Sequence, residues 1–305
     1  MKNKGLSIVI PVYNFSISDL VTVLDEQASS LNISYEIRCY DDCSDTYFKE
    51  LNTTITKFEN VIYKELPLNH GRSKIRNLLA NDAKYDTLLF LDSDSKITNA
   101  NYLIEYVKYL DKDAVVYGGR SYQNTPPTNS NKILHWKYGS TRETTSAEIR
   151  SKSPYYTFMS NNFIVPKNFF LKVKMDETLK GYGYEDTLFG VKLKEFNISI
   201  KHIDNPLCHI GLEDNDAFLQ KTYESIKNLF QLTSANIQFN TKLYKYYRFI
   251  TKSQLIFLFG FVYKLFQEKI EKNLKSTEPT LFYFDLYKLN LIITEHTTRS
   301  VKANH

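Results

Sequence analysis

Residues Thr87 to Ile97 read TLLFLDSDSKI, an apolar run that stops at two aspartates one residue apart. The short run between turn-forming residues predicts a buried strand, and the carboxyl end of such a strand is where open α/β sheets bind ligands. The same pattern recurs on both sides. LSIVIPVYN (6–14), YEIRCYDD (35–42), NVIYKEL (60–66) and AVVYGGR (114–120) read as strands. Residues 18–30, 44–58, 71–83 and 101–110 read as helices, the second capped by Ser44 and the third opened by Gly71. Strand and helix alternating over about 120 residues predict an α/β fold with a mostly parallel sheet between helices. Tyr13 and Asn14, Asp41 and Asp42, and Asp92 and Asp94 then fall at strand ends and should converge on one edge.

Farther along, residues 121–155 form a polar stretch containing NTPPTNSN and the only tryptophan, Trp136, and read as a long loop. FMSNNFIVP (158–166) restores order, followed by an amphipathic segment to Val173 and a glycine-bearing turn that opens a helix at Glu185. Residues 198–215 hold one or two strands, and 216–232 a helix with Leu219, Tyr223, Ile226 and Phe230 on one face. We therefore expect an α/β domain over 1–232 and a helical C-terminal extension over 233–305.

Composition excludes several classes. A 305-residue chain with 42% hydrophobic and 24% charged residues buries a core and is not disordered, and 23 Tyr and 20 Phe predict an aromatic interior or a stacking surface. A net charge of +5 on 39 basic and 34 acidic residues suits an anionic ligand or an acidic membrane surface and gives little support to nucleic-acid binding. Three cysteines are too few and odd in number for a disulfide scaffold, which points to a reducing, cytoplasmic compartment. The apolar start of the chain contains Pro11 and no small-residue cleavage site, so it reads as a first strand. Leu255 to Phe266 has twelve residues against the roughly 20 a spanning helix needs, leaving a core helix or an interfacial one that touches the inner membrane face.

Chemistry concentrates in three places. Asp92 and Asp94 can hold a hard divalent cation that shares phosphate oxygens, or they can be plain turn residues. A calcium loop fails, because positions 6 and 12 from Asp92 are Ile97 and Leu103. In GYGYEDTLFG (181–190), Glu185 and Asp186 stand at a helix start, where the dipole alone favours acids and should lower their pKa, weakening either as a base. His209 in PLCHIGLED ends a predicted strand and gains meaning only beside the acids.

IVIPVYN, YDDCSDT, NHGRSKIRN, LLFLDSDSKI, GYGYEDTLFG and CHIGLED, in this order, resemble the inverting glycosyltransferase family 2 with the GT-A fold over residues 5–232. The resemblance implies transfer of a sugar from a nucleotide sugar, UDP-linked, to a carbohydrate or lipid-linked glycan. It implies that Pro11, Val12, Tyr13 and Asn14 line base and ribose, that Asp42 accepts from the base, and that Arg76 lies near the phosphates, with Arg72 and Lys74 as further basic candidates. Asp92 and Ser93 then meet the nucleotide sugar, Asp94 and His209 bind Mn2+ or Mg2+ with Asp92 alongside, Asp186 is the catalytic base and Glu185 binds acceptor. Trp136, Asn162 and Tyr184 are weaker acceptor contacts. Cys43 stands where the family usually has glycine, which puts that turn in question. Absence of a QxxRW motif favours single transfers over polymerisation. The competing readings are a silent nucleotide- or glycan-binding protein on the same fold, and a sugar-phosphate nucleotidyltransferase, whose GxGTR-like loop PVYNFS does not match.

Overall fold

A computed structural model describes residues 4–110, 112–179, 181–234 and 242–303. Along the chain run β1 (Leu6–Val12), α1 (Ser18–Ser29), β2 (Tyr35–Asp41), α2 (Thr46–Thr53), β3 (Val61–Glu65), α3 (Arg72–Asp82), β4 (Thr87–Leu91), β5 (Ser95–Lys96), α4 (Tyr102–Val107), β6 (Val115–Tyr117) and β7 (Arg120–Ser121). There follow α5 (Ile133–Tyr138), α6 (Ala147–Ser151), β8 (Asn162–Pro166), α7 (Lys167–Val173), α8 (Glu185–Glu195), β9 (Ile200–His202), β10 (Leu207–His209), α9 (Asn215–Ser234), α10 (Lys242–Lys252), α11 (Ile256–Leu274) and α12 (Leu281–Ala303). The first five strand and helix assignments match the alternation in the sequence to within a few residues. The stretch 121–155 does not stay a loop; it holds α5, α6, a tight 3-10 turn at Ser130–Lys132 and a wider π-helical turn at Gly139–Glu143.

The main sheet has seven strands in the order β3-β2-β1-β4-β8-β6-β9. β3, β2, β1 and β4 pair in parallel, β8 runs antiparallel to both β4 and β6, and β9 is parallel to β6. This is the GT-A fold, a mostly parallel sheet flanked by helices. Because strand side chains alternate, β1 sends Leu6, Ile8, Ile10 and Val12 to one face with α1 and α4, and Val9 to the other with α3, α7 and α8. On that second face Phe90 stacks against Phe163 and Phe170 at centroid distances of 4.8 and 4.7 Å, so part of the aromatic excess builds this core.

A small three-stranded sheet, β5-β10-β7, sits beyond β4. β10 runs antiparallel to β5, placing His209 opposite Ser95, and parallel to β7, placing Cys208 opposite Ser121. It is short, yet it determines the chemistry of the edge.

The chain divides into two compact units. One takes residues 1–123, 142–179 and 185–211, hence both sheets; the other takes 124–141, 180–184 and 212–305, hence α5 and α9 to α12. The second unit thus includes α9, which the sequence assigns to the first 232 residues. Its own core gathers Leu134, Phe218, Leu219, Tyr263, Ile270 and Phe284. Among the described residues no helix is long and apolar enough to cross a membrane.

Candidate active site

The first unit carries the expected strand-end residues at the carboxyl edge of its sheet. Val12 is not among the ligand-facing ones: its side chain is in the core and its carbonyl accepts the Asp42 N–H at 2.8 Å. Next to the half-buried Pro11, the exposed residue is Tyr13, 55% accessible, a free aromatic face at the end of β1. Asn14 adopts φ 48°, a conformation asparagine tolerates, and its Oδ1 accepts the Asp45 N–H at 2.8 Å. Ser44, expected to cap a helix, instead accepts the Asn14 N–H at 2.8 Å, and Asp45 takes the N-cap position of α2.

The two acids of YDDCSDT divide. Asp41 is wholly buried and accepts from the Ser44 N–H (2.7 Å) and the Tyr63 hydroxyl (2.9 Å). Asp42 accepts the backbone N–H groups of His70 (2.7 Å) and Gly71 (2.9 Å), one on each oxygen, and so holds the entry to α3 while keeping acceptor capacity on both. Gly71 needs no side chain there because its φ is 79°. Cys43 occupies the left-handed region at φ 66° without being glycine, so the unusual residue keeps the turn at a cost of roughly 1–2 kcal/mol.

Asp92 does not stand open to a cation. Arg76 Nη2 donates to its Oδ1 at 2.5 Å and Arg120 Nη2 to its Oδ2 at 3.2 Å, so two guanidiniums already balance one carboxylate. Asp92 is expected from the sequence to join Asp94 at a metal; both of its oxygens are engaged by guanidiniums here. Arg76, expected at the phosphates, is 3% exposed with its guanidinium against Asp92. Replacing it with leucine should cost about 3–5 kcal/mol, because a buried charge loses its closest partner; urea denaturation reads this directly.

Arg120 went unnoticed in the sequence. It also reaches Glu143 Oε2 at 3.3 Å, and the Tyr122 hydroxyl donates to that same oxygen at 2.5 Å. Tyr122 in turn sets its ring edge-on to His209, 5.3 Å between centroids. A charged residue just beyond the glycine pair of AVVYGGR was the available signal, the same strand-end logic that singles out the aspartates.

Asp94 and His209 are brought together across 115 residues of chain. The Ile210 N–H donates to the Asp94 carbonyl at 2.9 Å, extending the β5–β10 ladder, and His209 Nδ1 lies 3.4 Å from Asp94 Oδ1. Apart from that imidazole the oxygen is buried without a hydrogen-bond partner among the described residues, although the side chain as a whole is 31% exposed. Burial alone would raise the Asp94 carboxyl; the His209 imidazole, then Arg120 and Arg72, outweigh it and hold it well below the usual carboxylate range. A carboxylate kept ionised beside an imidazole fits a hard divalent cation. Among the described residues no group of three His, Cys, Asp or Glu gathers there, so the pair would offer a cation two ligand atoms.

Glu185 and Asp186 open α8 as expected, but the electrostatics of Asp186 invert the expectation. Asp186 is raised to about 6, first by burial and then by the neighbouring Glu185 charge, against the opposing Ser160 hydroxyl and the Arg76 and Arg72 cations. Desolvation and a like charge therefore exceed the helix-dipole effect of roughly 1 kcal/mol. Asp186 Oδ1 is buried and accepts no hydrogen bond among the described residues. Glu185, in contrast, pairs with Arg72 Nε at 3.0 Å.

Asn162 is consumed by the fold. Its Oδ1 accepts from the Tyr102 and Tyr106 hydroxyls (2.6 and 2.7 Å) and its Nδ2 donates to the Gly119 and Asn205 carbonyls (2.8 and 2.9 Å), with no surface exposed. It has no capacity left for a sugar. Trp136 and Tyr184 belong to the second unit.

The profile of "Glycosyl transferase family 2" matches residues 7–179, more than half the chain. The protein is a family 2 glycosyltransferase. Within the family, it is 27% identical over 248 residues to a chondroitin synthase of Pasteurella multocida (strain Pm70), which covers 68% of this chain and 25% of that protein. The chain thus spans about a quarter of the length of that curated relative. In fold it is similar to S. aureus TarS 1-349, with a TM-score of 0.51 at 19% identity over 98% of this chain and 92% of that one. It is likewise similar to the mannosyltransferase PcManGT from Pyrobaculum calidifontis in complex with GDP-Man and Mn2+, with a TM-score of 0.51 at 11% identity over 77% and 65%. As a family 2 glycosyltransferase the chain is an enzyme, and family members of the GT-A type typically use a divalent metal.

Proposed function

We propose that this glycosyltransferase moves a hexosyl or N-acetylhexosaminyl unit from a UDP-sugar to a hydroxyl of a carbohydrate or lipid-linked glycan, inverting the anomeric centre. The observation that carries the proposal is Asp186: a carboxyl raised to about 6 at the ligand edge of the sheet, with one buried oxygen that accepts no hydrogen bond among the described residues. A base with a pKa near working pH is what proton abstraction from a hydroxyl needs. The Asp186 carboxylate takes the acceptor proton as that oxygen bonds to the anomeric carbon. The bond to the diphosphate breaks on the opposite face, and its electron pair leaves with the nucleotide.

Asp42 retains acceptor capacity for a uracil N–H, and the exposed Tyr13 offers a face for the base. Asn14 and Ser93 sit at the same strand ends. Asp94 and His209 would hold Mn2+ or Mg2+, which when bound supplies Lewis-acid neutralisation of the diphosphate. Arg76 and Arg120 fix Asp92 toward the ribose side. Glu185 keeps the Asp186 pKa high and holds Arg72. The carbohydrate acceptor is supported by the likeness to a chondroitin synthase.

The test is to offer a panel of UDP- and GDP-sugars with each metal and with chelator, and to follow nucleotide release and the anomeric configuration of the product by NMR. Retention of configuration, or no donor consumed, would overturn the proposal. Gly211 offers a subtler check, since a Cβ there would stand 2.6 Å from Asp94 Cβ and 2.7 Å from its Oδ2. Gly211→Ala is expected to displace the carboxylate and weaken Mn2+ binding at least tenfold by titration calorimetry, with little change in the α/β core.

A further inference from the structure

We propose that the outward face of α11, continued by α10, docks on an anionic phospholipid surface. α11 buries Tyr263, Ile270 and Leu274 on its inner side. Its opposite side should be polar, yet Phe257, Leu258, Phe261, Val262, Leu265 and Phe266 are all exposed, Phe257 at 90%. Exposed apolar residues scattered singly are ordinary; six at helical spacing over ten residues form a continuous stripe that marks an interaction surface. Tyr246 and Phe249 on α10 are exposed as well.

Charge identifies the occupant. Beside those rings α10 exposes Lys245, Arg248 and Lys252, and α11 exposes Lys264, Lys269 and Lys272, against Glu268 and Glu271. An apolar stripe among cations matches a layer of acyl chains beneath anionic headgroups. A second copy of this chain fits poorly. A twofold contact would bring the same face to itself and oppose one set of cations to the other. The apolar stripe is about 15 Å long, too short to span a bilayer and long enough to lie in its interface.

The experiment uses the full chain and vesicles of phosphatidylglycerol with phosphatidylcholine, compared with phosphatidylcholine alone, in co-sedimentation at low and high salt. Binding to the anionic vesicles is expected, falling at least tenfold in the triple variant Phe257→Ser, Phe261→Ser, Leu265→Ser. It should fall similarly in Lys245→Gln, Arg248→Gln, Lys252→Gln and as salt rises. Both variants alter exposed residues, their thermal transitions check folding, and they reach the face by different chemistry, so either can decide alone. No binding to anionic vesicles at low salt, or binding unchanged in a folded variant, overturns the proposal. So does a concentration-dependent dimer, by light scattering, that the serine variant dissolves. Vesicle binding is measured without donor, acceptor or metal, so its failure is separable from failure of the transfer proposal.

Discussion

Asp186→Asn is expected to lower the transfer rate by about 10³-fold, within the range general-base catalysis supplies, while leaving nucleotide-sugar binding intact. The same change should make the protein more stable at pH 8. The folded carboxyl is raised to about 6 by burial and by Glu185, above its value in the unfolded chain. Its stabilising contribution is therefore complete below about pH 4, in the neutral form, and is lost as pH rises through about 6. At pH 8 the wild type bears an ionised buried carboxylate at a cost on the order of 2 kcal/mol, which asparagine removes. A higher Tm at pH 8, converging with wild type near pH 4, identifies loss of a base rather than loss of fold. In the wild type kcat/KM should fall tenfold per pH unit below about 6. Glu185→Gln should move that limb to lower pH, since a like charge has been removed. Full activity in Asp186→Asn would sink the assignment.

Asp94→Ala is expected to abolish metal-dependent donor binding. The wild type should gain about 5 kcal/mol from Mn2+ and UDP each present at a hundredfold excess over the dissociation constant, a rise of roughly 10 °C in Tm. Asp94→Ala and His209→Ala should show almost none of this gain while unfolding near the unliganded wild-type temperature. Either variant retaining the Mn2+-dependent shift would remove that residue from the ligand set. Arg76→Leu gives the contrast: it should lose stability with or without metal, because it takes from the buried Asp92 its closest partner, a side chain and not a metal.

Much of the catalytic edge was legible from neighbours in the sequence. The apolar runs ending at Asp41 and Leu91 form strands, and Glu185 opens a helix, because strand burial and helix starts depend on residues a few positions apart. The resemblance across six motifs added the family. Less legible were the partners. Arg76 and Asp92 lie on different elements, and nothing in NHGRSKIRN says that its arginine turns inward to a carboxylate rather than outward to phosphate. Asn162 looks like a polar residue near a site until four hydrogen bonds account for it.

TLLFLDSDSKI by itself determined a buried strand that delivers two carboxylates to the ligand edge, because five consecutive apolar-facing positions can be buried only between two layers. Which carboxylate does what was decided by tertiary structure. β10 returns from 115 residues away to set His209 beside Asp94, while α3 and β7 close two guanidiniums on Asp92. The raised Asp186 has the same origin. Glu185 is its neighbour in the chain, but the larger cause is desolvation, which depends on what the fold packs around the group.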